Sequence, residues 1–369
     1  MNKLIRDEVE VKVPGKLYLA GEYAVVTPYN PAIAFAIDAF IKIRAVRSED
    51  RLINDISTNR NYTWAVNDSK EIYMPEDKTG SVSLTAEAMT VTLHYISEKL
   101  NLPLSNIAFS LYIESDMRDE SGRKFGFGSS GAATIAACQA ILKLFAFDEK
   151  LSKSEFSILS FKLSSLAQSR LQKLGSFGDI ATSSMAGLVY YQNFNRDVFE
   201  TDSIESLENI VQIVDTEWDG LILEQLTMPE DWTISIMWSG KSSSTDKLLL
   251  NKGQDISADE RFSFRKNSKE QVKNIVAALN SSDWEAFAAN VSANSKEIKD
   301  YLAKQNRPYL LPVFDIAEQI AIDNGAIFKI SGAGAGDCAI AISPNQETAE
   351  KVNNAWQAAG LTTLDYKLW

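Results

Sequence analysis

RKFGFGSSGAAT, residues 123–134, sets a turn of glycine and serine against the start of a long apolar helical pattern. A helix start exposes backbone N–H groups that attract anions, so the combination makes a bed for phosphate. Gly126, Gly128 and Gly131 let the chain approach a ligand closely, while Ser129 and Ser130 offer hydroxyls for phosphate oxygens or a metal ion. The stretch reads as nucleotide-binding. It satisfies Gly-x-Gly-x-x-Gly literally, but a dinucleotide fold needs that turn to leave a strand at once, and the polar run ESDMRDESGRK intervenes. No Walker-type Gly-x-x-x-x-Gly-Lys-Ser/Thr run is present. A tight turn that merely packs a helix is the plainer alternative.

Two further segments carry the same flavour, PGKLYLAGEYAVV at 14–26 and KISGAGAGDCAIAI at 329–342. Three such elements so far apart in the chain suggest one assembled site. Between them lie LGSFGDIATS at 174–183, where two glycines flank the approach to Asp179, and WSGKSSST at 238–245, which supplies Lys241 and several hydroxyls. In this order the segments resemble the GHMP kinase superfamily, which includes galactokinase, homoserine kinase, mevalonate kinase and phosphomevalonate kinase, over nearly the whole chain.

The resemblance implies an α+β fold of two domains, an N-terminal one like ribosomal protein S5 domain 2 and a C-terminal α/β-plait. A boundary in the acidic stretch near 195/196 gives domains 1–195 and 196–369. It also implies ATP and Mg2+ as cofactors. The triphosphate is expected on Lys124, Gly126, Gly128, Ser129, Ser130 and Gly131, with Ser130 as the magnesium ligand. Lys16 would project toward the reacting phosphate, and Asp179 would accept or orient the acceptor's proton. Lys124 and Lys16 also read as solvated lysines, and Asp179 as a helix cap. Pro14 and Gly15 predict a sharp entry into the site.

One departure concerns the metal. Mevalonate kinases of the superfamily carry a magnesium-binding glutamate eleven residues before the aspartate, and this chain has Gln168 there. An amide is a weaker, uncharged metal ligand, which argues against a plain mevalonate kinase. The third segment also interrupts the family's consecutive glycines with Ala335.

Within the superfamily the individual pattern resembles the bacterial phosphomevalonate kinases. That implies (R)-5-phosphomevalonate as the small-molecule partner, with Tyr18, Glu22, Ser176, Lys241, Ser243, Ser244 and Gly334 around it. Mevalonate kinase, another GHMP small-molecule kinase and a degenerate nucleotide-binding protein remain alternatives.

Composition sets the outer limits. The chain has 369 residues, 45% of them hydrophobic, enough for substantial cores. Its 37 Lys and Arg against 49 Asp and Glu give a formal charge of -12, which disfavours a nucleic-acid surface. The N-terminus lacks an apolar signal core and no stretch approaches roughly 18 apolar residues, so no membrane partner and a cytoplasmic location are expected. A monomer or homodimer is expected. Cys138 and Cys338 read as reduced core residues and His94 as structural. Alternation predicts strands at 10–13, 32–46, 107–113, 185–191, 232–238, 327–330 and 337–342; helical spacing predicts 85–100, 132–145, 155–171, 269–279, 283–303 and 313–323.

Overall fold

A computed structural model describes residues 6–67, 72–74, 81–119, 121–171, 175–199, 205–242 and 253–369. Strand β1 (Glu8–Ala20) opens with alternation: Val9, Val11 and Val13 are buried while Glu8, Glu10 and Lys12 are exposed. From Pro14 onward every residue is buried, because helices from both halves of the chain pack on it. Here the expected sharp entry at Pro14-Gly15 gives way to a continuous strand. The pairing with β2 (Pro31–Arg47) absorbs the irregularity as a register shift between Pro14 and Gly15. Glycine is needed at position 15 because a Cβ there would lie 2.9 Å from the Phe127 Cβ.

The long strand β2 organises the first sheet. One edge carries β1, and the other pairs with β8 (Leu188–Gln192) along its first residues and β7 (Phe109–Ser115) along its last. The gap between them is filled by the end of the chain: Trp369 N–H donates to the Ala36 carbonyl, Asp38 N–H to the Lys367 carbonyl, and Gly187 N–H to the Trp369 carbonyl. Strands β3 (Leu52–Asp55) and β4 (Arg60–Thr63) extend the sheet beyond β7, the β3–β7 pairing being parallel, and β9 (Ile222–Leu226) extends it beyond β8. That makes seven strands, with β5 (Ala65–Val66) and β6 (Ile72–Tyr73) forming a separate pair. Because β9 pairs with β8, a division at 195/196 would cut the sheet; we propose the division after β9 instead.

Helices α1 (Ser81–Leu100), α2 (Ser129–Leu144), α3 (Lys153–Arg170) and α4 (Gly178–Met185) form the layer against this sheet. The alanine-rich α2 is its centre and packs on both β1 and β2, which its small side chains allow. A short α5 (Ile210–Asp215) follows.

The second half begins with β10 (Thr233–Trp238) and continues through three helices, α6 (Ala258–Ser281), α7 (Trp284–Lys304) and α8 (Pro312–Asp323). Their starts follow from sequence: a Ser257/Glu260 capping box opens α6, Asp283 caps α7, and Pro312 sits in the first turn of α8. Then come β11 (Ile327–Ile330), β12 (Cys338–Ser343), α9 (Gln346–Ala358) and β13 (Thr362–Leu364). The four strands form an antiparallel sheet in the order β11-β12-β10-β13, the arrangement expected of an α/β-plait. Both cysteines are buried and unpaired with each other. Among the described residues no helix is long and apolar enough to cross a membrane.

Candidate active site

The free edge of β1 is where the separated segments meet. Lys16 N–H donates to the Phe127 carbonyl of the glycine-serine turn at 2.9 Å, and Tyr18 N–H donates to Ser331 Oγ of the third segment at 2.7 Å. An edge strand has backbone donors to spare, and here both halves of the molecule use them. Beside this edge opens a cleft of about 440 Å3. Lys16, Tyr18, Glu22, Lys124, Gly126, Gly128, Ser129, Ser130, Ser176 and Asp179 all line it. Ser331, Gly332, Ala333 and Asp337 of the third segment also line the cleft.

The phosphate turn has the expected form. Gly128, in the left-handed region at φ 72°, is the N-cap of α2 and no side chain caps the helix, the arrangement in which a helix start attracts an anion. The glycines serve a purpose beyond ligand approach. A Cβ on Gly128 would sit 3.0 Å from Lys16 Cε and 3.3 Å from Asp179 Cβ, and one on Gly131 would sit 2.6 Å from Asp179 Oδ2. On Gly126 it would strike the Asp337 side chain at 2.3 Å. The turn thus makes room for three charged side chains. Gly131 itself is buried under Asp179 rather than lining the cleft.

Asp179 lies in the first turn of α4, whose N-cap is Phe177, so the helix-cap alternative does not describe it. Its loop is held on several sides: Tyr191 Oη donates to the Ser176 carbonyl at 2.8 Å, Arg196 donates to the Gly175 carbonyl at 2.9 Å, and Tyr18 Oη lies 3.0 Å from Ser176 Oγ. Gly178 lacks the Cβ that would collide with Tyr18 Oη. Burial, and then the nearby Asp179 charge, push the Tyr18 phenol well up, so it stays protonated and acts as a hydrogen-bonding group.

Lys16 is buried, with 8% of its surface exposed, which removes the solvated-lysine alternative. Its Nζ stands 5.1 Å from the Tyr18 ring centroid. Lys124 is exposed and lines the same cleft. Gln168 also lines it, donating from Nε2 to Thr134 Oγ1, which in turn donates to the Ser130 carbonyl. The amide therefore stands behind the serine turn.

Two acceptor expectations change. The Lys241 side chain is exposed and absent from the cleft lining; its carbonyl instead accepts from Asp337 N–H at 2.7 Å. Gly334 also lies off the cleft, at φ 71° against the Tyr309 ring, where a side chain would not fit. Ser243 and Ser244 fall outside the described residues. Their neighbour Ser242 donates to the Lys124 carbonyl at 2.7 Å and so ties this turn to the phosphate turn.

Gly128→Val should weaken binding of a non-hydrolysable ATP analogue by roughly tenfold or more, because a β-branched residue is strained at positive φ and displaces Lys16 and Asp179. Calorimetry on variant protein with native circular dichroism tests this. Unchanged affinity would remove the turn from the nucleotide site.

Residues 275–361 match the family GHMP kinases C terminal. A Lin0012 protein from Listeria innocua has a solved structure that superposes with a TM-score of 0.86 at 27% identity, covering 98% of each chain. The chain therefore has the two-domain GHMP kinase fold, with a C-terminal portion that matches the family's own model. Its likeness narrows further. A phosphomevalonate kinase from Streptomyces sp. (strain CL190) is 29% identical over 95% of this chain and 94% of its own length. The Streptococcus pneumoniae phosphomevalonate kinase in complex with phosphomevalonate and AMPPNP superposes with a TM-score of 0.81 at 26% identity, covering 98% of this chain and 100% of that one.

Proposed function

We propose that the protein transfers the γ-phosphoryl group of ATP to (R)-5-phosphomevalonate, giving ADP and (R)-5-diphosphomevalonate. The observation that carries this reading is the convergence of Lys16, Ser130 and Asp179, from three distant segments, on one cleft of a chain that matches a phosphomevalonate complex along its whole length. An acceptor phosphate oxygen attacks the γ-phosphorus while the bond to the β–γ bridging oxygen breaks and ADP departs. The acceptor is already largely ionised near neutral pH, so positioning and charge compensation outweigh proton removal.

Each residue then has a task. The first N–H groups of α2 and the Ser129 and Ser130 hydroxyls hold the triphosphate, with Lys124 adding charge from the exposed side. Lys16 offsets the charge shared between donor and acceptor oxygens. Asp179 orients the acceptor. The donor set fits a magnesium ion carried mainly by phosphate: Ser130 offers a hydroxyl at the cleft, and among the described residues no cluster of three or more His, Cys, Asp or Glu side chains could hold a metal alone. Bound there, magnesium would neutralise phosphate charge.

Incubation with ATP, magnesium and matched concentrations of mevalonate, 5-phosphomevalonate, homoserine and galactose should give one dominant product, the mass of diphosphomevalonate. Preferential phosphorylation of mevalonate would replace the acceptor and leave the kinase reading intact.

A further inference from the structure

The run Lys124-Phe125-Gly126-Phe127-Gly128 has two faces. Lys124, Gly126 and Gly128 line the cleft, while Phe125 and Phe127 alternate with them, stay out of the cleft and are buried. The glycines that would meet the triphosphate have no side chains with which to hold themselves in place. Their position is set by the two rings behind them.

Those rings are seated on the second half of the chain. Phe125 meets Trp238 of β10 edge-on, with centroids 5.4 Å apart, and Tyr366 at 6.2 Å. Phe127 meets Tyr366 edge-on at 5.2 Å and also lies against Gly15 of β1. Edge-to-face pairs fix orientation as well as burying area. Tyr366 is in turn held by the first sheet. It follows β13 of the second sheet, and the next residues enter the gap in the first. Lys367 N–H donates to Asp38 Oδ1 at 2.7 Å, Leu368 bridges Ile37, and Trp369 N–H donates to the Ala36 carbonyl at 2.9 Å. Residues 365–369 thus form a strap from one sheet to the other, with the Tyr366 ring against the phosphate turn. The Tyr366 hydroxyl makes a long bond to the Asp116 carbonyl at 3.4 Å, so the ring does the seating.

We propose that Tyr366 is a positioning residue for the nucleotide: its ring holds Phe127, and through it Gly128 at the head of α2, in the geometry that takes the triphosphate. The inference rests on the nucleotide reading of this turn given above. Other bonds from the second half reach the turn only ahead of Gly126, where Ser242 donates to the Lys124 carbonyl at 2.7 Å and Cys338 Sγ to the Phe125 carbonyl at 3.2 Å. Beyond Gly126 the seating falls to the Lys16 N–H bond to the Phe127 carbonyl and to the Phe127 ring. Tyr18 and Asp179, on β1 and α4, do not pack on Tyr366, so its loss should fall on the nucleotide rather than the acceptor.

The test is calorimetry with AMPPNP and steady-state kinetics on wild type, Tyr366→Phe and Tyr366→Ala. The alanine variant should bind AMPPNP roughly tenfold more weakly and raise KM for ATP in step, because a small misplacement of a binding group is enough for that, with KM for 5-phosphomevalonate within about twofold of wild type. Tyr366→Phe keeps the ring and should stay within about twofold of wild type for both substrates. A merely structural role would lower the melting temperature and the active fraction without moving the nucleotide affinity of the folded fraction. If Tyr366→Ala does not fold, Tyr366→Leu keeps apolar bulk without the ring and should still lose about threefold or more in AMPPNP affinity. Unchanged AMPPNP affinity in the folded variant overturns the inference while the nucleotide reading stands. An equal rise in both KM values, or a phenylalanine variant as weak as the alanine one, overturns it too. Failure of the wild type to bind AMPPNP overturns both readings.

Discussion

Lys16→Met should reduce kcat by about 10^2–10^3-fold, the usual effect of removing one preorganised group that meets transition-state charge. The geometry explains why the loss should fall on turnover. Lys16 is buried on β1, its stem packs on Gly128, and its ammonium stands over Tyr18 beside the cleft. Asp179 packs on the same glycine, so the cation and the carboxylate stand together at the cleft in which transfer is proposed. Methionine keeps most of the apolar stem, and the backbone bond from residue 16 to Phe127 is untouched. The fold should therefore survive. Steady-state kcat and single-turnover rates, alongside AMPPNP affinity, separate uniform binding from transition-state stabilisation. Near-normal turnover in folded variant protein would exclude Lys16 from the chemistry.

The glycine-rich segments were legible because their spacing states a local requirement, an open backbone at a helix start. Helices α1 to α3 and α6 to α8 and seven of the strands followed from periodicity for the same reason. Pro14-Gly15 misled because local propensity reads the pair as a turn, whereas thirteen residues of β1 paired along β2 outweigh it and convert it to a bulge. The proposal to move the boundary beyond 195/196 rests on Ile222–Leu226, a partly exposed and weakly patterned strand whose place in the first sheet comes from pairing with Leu188–Gln192. Lys241 was read through its side chain, but it is the carbonyl that meets Asp337. The Glu22–Lys329 pair joins residues 307 positions apart, and no local pattern in a single sequence announces such a contact. Likewise the glycines of the turn were assigned to the ligand, while their Cα faces also admit Lys16, Asp179 and Asp337.

Asp179→Asn should slow the chemical step by about 10^2-fold, with little effect on folding. The amide has nearly the shape of the carboxylate, so it should still lie against Gly131, and the loop bonds made by Tyr191, Arg196 and Tyr18 do not involve residue 179. What disappears is the negative charge and the ability to take a proton. The two tasks leave different marks. If Asp179 removes a proton from the acceptor, the wild-type rate of phosphoryl transfer should fall as pH drops through the carboxylate's titration, and the asparagine variant should lose that limb. A purely orienting role should lower the rate without removing the pH dependence that comes from ionisation of the acceptor phosphate. Rapid-quench measurements across a pH series isolate the chemical step from product release. Because the acceptor is a phosphate rather than an alcohol, the second pattern is the expected one. An unchanged chemical rate in folded variant protein would reject both roles and leave Asp179 as a residue that packs the phosphate turn against α4.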